Sequence, residues 1–228
     1  MQLLAGQQAN AGGPVTPVQF NKTGDTLFTS QSYSSFVTDL PDYTAGDVWI
    51  KIDYIREADV TFTDPVDWTS IVSANADTPD GTCNVTWYRP NGTEGANVTT
   101  TTDSSTTDAI MSIVLAYSNV TSSGTPYEGL QTAEVSGTHI ITPVSVTSTV
   151  DGGLHVDLIF FPESQPNNTV LGEMTENYFE RSAIFGSDIS MGAWSQTLDS
   201  GESSTPEDYT FGTGTGYGGR YVSFILKP

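Results

Sequence analysis

The chain is short of every residue that would build a disulfide framework, a basic surface or an imidazole-based active site. Of its 228 residues one is cysteine, two are histidine and seven are lysine or arginine. A lone Cys83 excludes an intrachain disulfide, and with it the stapled scaffold of small secreted domains. Seven cations against 27 acidic side chains leave a formal charge of −20 and a pI near 4.1. Such a surface repels phosphates, so neither nucleic acid nor an anionic membrane surface is expected as a partner. No apolar run reaches the length of a membrane span. The opening Met1-Gln2-Leu3-Leu4-Ala5-Gly6-Gln7-Gln8 carries neither the basic nor the apolar region of a signal peptide.

What is abundant is Thr, Ser, Val, Tyr and Phe, a balance that suits pleated, half-buried surfaces better than helices. The length allows one sizeable core without staples. The expected fold is therefore all-β: an antiparallel two-sheet sandwich, jelly-roll-like, over residues 20–228. Residues 1–19 are rich in Gln, Ala, Gly and Pro and end in Gly12-Gly13-Pro14-Val15-Thr16-Pro17, which reads as an extended arm that orders against a neighbour.

Short strands are expected at Thr26–Ser30 and Ser35–Leu40. Val48–Ile55 alternates with Val48, Ile50, Ile52 and Tyr54 on one face, the pattern of a half-buried strand. Trp68–Val72 follows, and Thr78-Pro79-Asp80-Gly81 has turn chemistry leading into a strand at Cys83–Arg89. The polar run Thr99–Thr107 reads as a short edge strand or exposed loop. Ala109–Tyr117 is the most apolar segment and should be a central strand covered on both faces. Pro143–Val150, Asp151-Gly152-Gly153 and Leu154–Phe161 read as a hairpin. Leu171–Gly186 fits a helix or a twisted strand. Ile189–Gln196 and Arg220–Leu226 are further strands, separated by the Gly-rich loop Phe211–Gly219.

Candidate chemistry is sparse. His155 and Asp157 alternate on one strand face, a spacing open to metal ligation or to a cross-strand polar pair. Glu173, Glu176 and Glu180 would line one side of a helix, as paired carboxylates of a glycosidase could, or form a solvated acidic face. Asp64, Asp67, Asp77, Asp80, Asp103 and Asp108 are loop carboxylates of the type that cage Ca2+, without EF-hand spacing. Cys83 sits in an alternating apolar run and reads as an inert buried thiol. No cofactor is expected, calcium being the one considered. Trp49, Trp68, Trp87, Tyr88, Trp194 and Tyr217 supply stacking faces. Trp49 falls out of phase with Val48, Ile50 and Ile52, and Trp49, Trp87 and Tyr217 are the candidate contacts for a partner or glycan.

The succession Ala45-Gly46-Asp47-Val48-Trp49-Ile50, Asp64-Pro65-Val66-Asp67-Trp68-Thr69, Cys83–Arg89 and Ala109–Tyr117, closed by Tyr221-Val222-Ser223-Phe224-Ile225-Leu226-Lys227-Pro228, resembles the jelly-roll-like β-sandwich domains of tailed-phage virion structural proteins, whether decoration or tail-associated. The resemblance runs from about Thr26 to the C-terminus and brings no catalytic residues with it. It implies a non-enzymatic structural component of a tailed-phage particle, decorating the capsid or forming part of the tail, assembled in the bacterial host cytoplasm and residing on the virion; a capsid decoration protein is the leading reading. Its partner would be the major capsid protein or another virion protein, and its state a symmetric homo-oligomer, a trimer by capsid symmetry. Gln7, Gln8, Asn10, Pro14, Val15 and Pro17 would then belong to the assembly arm. The alternative is a glycan- or receptor-binding module of a tail fibre or cell surface.

Overall fold

The computed structural model describes residues 15–24, 27–29, 34–57, 59–78, 81–103, 109–135, 139–162, 169, 172–181, 189–205, 207–211 and 219–228. They form an all-β, antiparallel sandwich. The first half of the chain supplies β1 (Gln19–Thr23), β2 (Leu27–Thr29), β3 (Ser35–Asp39), β4 (Val48–Ile55), β5 (Phe62–Thr63), β6 (Thr69–Thr78), β7 (Gly81–Tyr88), β8 (Asn97–Thr102) and β9 (Ile110–Ser118). The second supplies β10 (Tyr127–Val135), β11 (Ile140–Ile141), β12 (Gly153–Phe161), β13 (Thr175–Arg181), β14 (Ser190–Leu198), β15 (Tyr209–Thr210) and β16 (Gly219–Leu226).

Each half builds one main sheet. The first runs β1-β9-β4-β7-β6, with β2 also on β9, and the second runs β10-β16-β12-β14-β13. Counting only the five strands of each path in chain order, both sheets have the same order: first, last, second, fourth, third. The register repeats too. Asp53 of β4 stands opposite Ser112 of β9, and Asp157 of β12 opposite Ser223 of β16. Leu27 pairs with Ser112 as Gln131 pairs with Ser223, so β1 and β2 together occupy the place of β10. Small outer sheets repeat the pattern, β3-β8-β5 in the first half and β11-β15 in the second. The second half is a structural repeat of the first.

The two main sheets meet face to face in one core. Ile50, Ile52, Ile113 and Leu115 from one side pack in the same cluster as Val156, Leu158, Phe160 and Phe224 from the other. The rings of Tyr54 and Phe160 lie 5.5 Å apart across the interface. The outer faces are covered as well. The first half buries Phe36, Ile55, Val60, Phe62 and Ile110 beneath its small sheet, and the second buries Ile141, Ile159, Phe161, Tyr209 and Phe211.

This layering corrects several expectations. Val48–Ile55 is buried at all eight positions instead of on one face, because the small sheet seals its outer side. Of the Thr-rich segment Thr99–Thr107, residues 99–102 belong to β8, the middle strand of the small sheet and not an edge, with Thr100 and Thr102 turned inward; residues 104–107 lie outside the described set.

The proposed hairpin of Pro143–Val150 with Leu154–Phe161 does not form. Both edges of β12 are taken by β14 and β16, so the residues before it run across the outer face. There Ser148 and Val146 exchange backbone hydrogen bonds with Glu202, Gly201 and Ser204. The turn signal itself was sound, since Gly152 has φ +71°. Leu171–Gly186 resolves as strand over Thr175–Arg181. Ala109–Tyr117 matches its expectation, being the buried inner strand β9. The 1–19 arm gives up its last two residues: Val18 is fully buried and its N–H donates to Gly152 O at 3.0 Å, and Gln19 opens β1.

A shared core makes the halves unfold together. Leu115→Ala, in the first sheet, should lower stability by about 2–5 kcal/mol within a single cooperative transition in urea. Two resolved transitions, one of them unmoved by the substitution, would contradict the shared core.

Candidate functional site

Among the described residues, polar or aromatic side chains gather in a buried polar cluster under each outer cover and in a groove on the surface of the first half.

In the first cluster, β4 presents Lys51 and Asp53 to the outer side of its sheet. Both are fully buried and paired through Lys51 Nζ and Asp53 Oδ1. The Ser112 hydroxyl donates to the same carboxylate oxygen, and Lys51 Nζ also donates to Ser112 Oγ at 3.0 Å. The cover contributes Thr100, whose hydroxyl reaches Asp53 Oδ2 at 3.4 Å, and Thr38, 2.6 Å from Ser112 Oγ. The Phe36 ring lies 5.1 Å from the ammonium. Burial pushes the Lys51 pKa below its ordinary value, against the pull of the Asp53 charge.

The second cluster repeats the central part of this arrangement, with His155, Asp157 and Ser223 at the positions of Lys51, Asp53 and Ser112. His155 Nε2 lies 3.0 Å from Asp157 Oδ1, an ion-pair separation whose angle falls outside that of a hydrogen bond. Ser223 donates to Asp157 Oδ1, and Tyr209 from the cover donates to Oδ2 at 2.9 Å. Burial, then the neighbouring Asp157 charge, drives the Tyr209 pKa far above the usual phenol range. His155 and Asp157 thus pair with each other along β12, where a cross-strand pair was the expected alternative to a metal, and the cross-strand hydrogen-bond partner of Asp157 is Ser223. In both clusters one carboxylate ties the sheet to its cover.

The remaining candidates are dispersed. Asp64 accepts from Asn84 Nδ2 at 3.1 Å, and Asp103 from the Thr61 N–H at 2.7 Å. Asp80 and Asp108 lie outside the described residues. Among the described residues, no three His, Cys, Asp or Glu side chains gather in a way that could hold a metal ion. Glu173 accepts from Gln196 and Thr205, and Glu176 and Glu180 are exposed strand residues of β13, not one side of a helix. Cys83 is buried in the core, where desolvation pushes its thiol up to about 12.

The groove lies over Trp49. Because β4 pairs Trp49 with Tyr88 and Ile50 with Trp87, Trp49 and Tyr88 share the outer face, while Trp87 turns toward the central core. Trp49 is the floor, 1 % exposed. Tyr88 stacks on Trp68 at 5.3 Å and lies 6.1 Å from Trp49. Glu94 is held across the groove. It accepts from the Tyr88 hydroxyl at 2.9 Å, from Asn91 N at 2.6 Å and from Gly92 N at 2.8 Å. Burial opposes its charge, but these donors outweigh burial and hold its pKa below the ordinary carboxylate value. Two adjoining cavities, about 300 and 180 Å³, share Leu40, Trp49, Glu94 and Gly95. They extend to Tyr43 at one end and to Val66 and Trp68 at the other.

Of the residues expected at a binding surface, Trp49 therefore lies beneath a groove and Trp87 on the opposite side of its sheet. Tyr217 is outside the described residues, as are Gln7, Gln8, Asn10 and Pro14 of the arm; Val15 and Pro17 are exposed. Sequence reasoning missed Tyr43, Val66 and Glu94. The Asn91-Gly92-Thr93-Glu94 turn was a visible signal for the last, since Glu94 accepts from two N–H groups of its own loop. Comparison with known proteins adds no assignment: no protein-family profile, no curated protein and no solved structure matches this chain.

Two outcomes test the buried chemistry. Asp53→Ala strands the Lys51 ammonium in the interior and should cost about 3–5 kcal/mol, measured by urea unfolding. The Lys51→Met/Asp53→Leu double variant should lose less than that single change. In the native protein Cys83 should resist a disulfide-exchange reagent at pH 8 and react only after denaturation; rapid native labelling would place the thiol elsewhere.

Proposed function

We propose that the chain is a non-enzymatic structural component of a tailed-phage virion, most specifically a capsid decoration protein. In this reading it assembles in the bacterial cytoplasm and packs on the major capsid or another virion protein as a homo-oligomer, a trimer by capsid symmetry. The observation that carries the reading is the job given to the ionisable residues the fold draws together. Lys51, Asp53, His155 and Asp157 are all at most 1 % exposed, and the two carboxylates join sheet to cover, so this reading takes binding surfaces as the protein's outward features. The order of sequence motifs supplies the virion context. The acidic exterior suits a solvated outer surface.

Attachment is assigned to the arm. Before the buried anchor Val18, residues 1–17 carry no charged side chain, and the described part of this stretch, residues 15–17, is exposed. A segment like that gains order only against another surface. A second reading, a receptor-binding module of a tail fibre, draws on the aromatic groove over Trp49.

Deletion of residues 1–17, which spares Val18 and β1, should leave the fold cooperative and sharply reduce incorporation into particles, as seen by imaging intact virions. Unchanged incorporation would remove the arm from the attachment mechanism.

A further inference from the structure

The repeat shows that the fold itself does not require the aromatic groove. The Trp49 and Tyr88 pair of β4 and β7 corresponds in register to Gly153 and Leu198 of β12 and β14. In the second half that corner closes with Val146, Leu198 and Ile225, three aliphatic side chains and no ring. The first half instead places Trp49, Trp68 and Tyr88 there and leaves Tyr43 44 % and Val66 87 % exposed. Gly92 keeps one end open: it adopts φ +86°, and a Cβ there would come within 3.0 Å of the Tyr43 ring. The aromatics are thus additional to what packing demands.

The charge of the groove is of one sign. Its ionisable lining is Asp42 and Glu94 together with the Tyr43 and Tyr88 phenols, and among the described residues no Lys, Arg or His lines it. Besides burial and the Glu94 hydrogen bond, the charges of Glu94 and Asp67 raise the Tyr88 pKa, so both carboxylates act on the groove wall. Aromatic faces beside a fixed carboxylate form the arrangement that holds an organic cation, the ring quadrupole and the carboxylate attracting the same charge.

We propose that this groove receives a cationic side chain, a lysine ammonium or an arginine guanidinium, presented by a partner protein. The charge complementarity that selects a basic occupant extends to the whole chain, which carries a formal −20. A neutral sugar could use the ring faces but would leave the Glu94, Asp42 and Asp67 charges unanswered. The inference deepens the assembly reading and rests on it only for the partner being a protein. Its test uses no particles, so the two fail separately.

The full chain is titrated with acetyl-Gly-Arg-Gly-amide and acetyl-Gly-Lys-Gly-amide, following the Trp68 indole N–H resonance. Acetyl-Gly-citrulline-Gly-amide serves as the neutral isostere and cellotetraose as the sugar control. The expected result is a saturable shift with at least one cationic peptide and none with citrulline or cellotetraose. Binding should weaken about tenfold in Glu94→Gln and in Tyr43→Ala. Glu134→Gln, the same charge change on exposed β10, should leave it unchanged. Tyr43→Ala retains the Glu94 turn, so a loss there is not a loop defect. Absence of saturation, equal binding of the citrulline peptide, or equal weakening by Glu134→Gln would overturn the proposal, and saturation by cellotetraose alone would make the groove a sugar site.

Discussion

A single buried carboxylate at the middle of each half holds the layered structure together. Asp53 and Asp157 sit on the central strands of their sheets, on the side away from the shared core. Each accepts from a serine of the neighbouring strand and from a hydroxyl of the outer cover. A carboxylate in such a place is tolerated only when paired and hydrogen-bonded, because an isolated buried charge is costly. That requirement fixes what surrounds it: a nitrogen-bearing side chain two residues earlier, Lys51 or His155, a serine directly opposite, and a hydroxyl overhead. The cover is thereby positioned by hydrogen bonds with direction, while the apolar contacts around it supply burial without specifying register.

The equivalence of the halves gives the structure an internal control. Where both use the same device, as at Asp53 and Asp157, the residues answer a demand of the fold. Where they differ, the difference asks for another explanation. Lys51 and His155 occupy equivalent positions with different side chains, and the corner over Trp49 is aromatic where its counterpart is aliphatic. The groove stands out by this comparison and by the single sign of its charge. Together with the exposed uncharged segment before Val18, it gives the acidic surface two distinct features through which a partner could be met.

The fold class was legible because alternation, turn chemistry and composition agree over most of the chain. Ala109–Tyr117 announced an inner strand through its continuous apolar run. Layers beyond two were not legible. Lys51 and Asp53 look like the solvent face of a half-buried strand, since sequence does not show that a separate small sheet will cover them. For the same reason β8, polar in composition, read as an edge: Thr99 and Thr101 do face water, but Thr100 reaches the buried Asp53 carboxylate and Thr102, two residues on, is buried as well. The hairpin before β12 failed because local turn chemistry was right while the edge of β12 was already claimed by β16, more than fifty residues later, a competition no short window reveals. The repeat left a faint trace, Ile50-Lys51-Ile52-Asp53-Tyr54-Ile55 against Leu154-His155-Val156-Asp157-Leu158-Ile159, with Ser112 and Ser223 each set in an apolar strand. The groove was half visible: Trp49 was marked by its phase, but its companions come from three other segments.

Native-state hydrogen exchange on Asp53→Asn and Asp157→Asn tests the pinning of each cover most directly. The account predicts that Asp53→Asn speeds exchange at the amides of residues 97–102 while those of residues 209–211 keep their protection, and that Asp157→Asn does the reverse. If either substitution loosened both covers alike, or left its own cover unchanged, the buried carboxylates would not be what fastens the outer layers to the sheets.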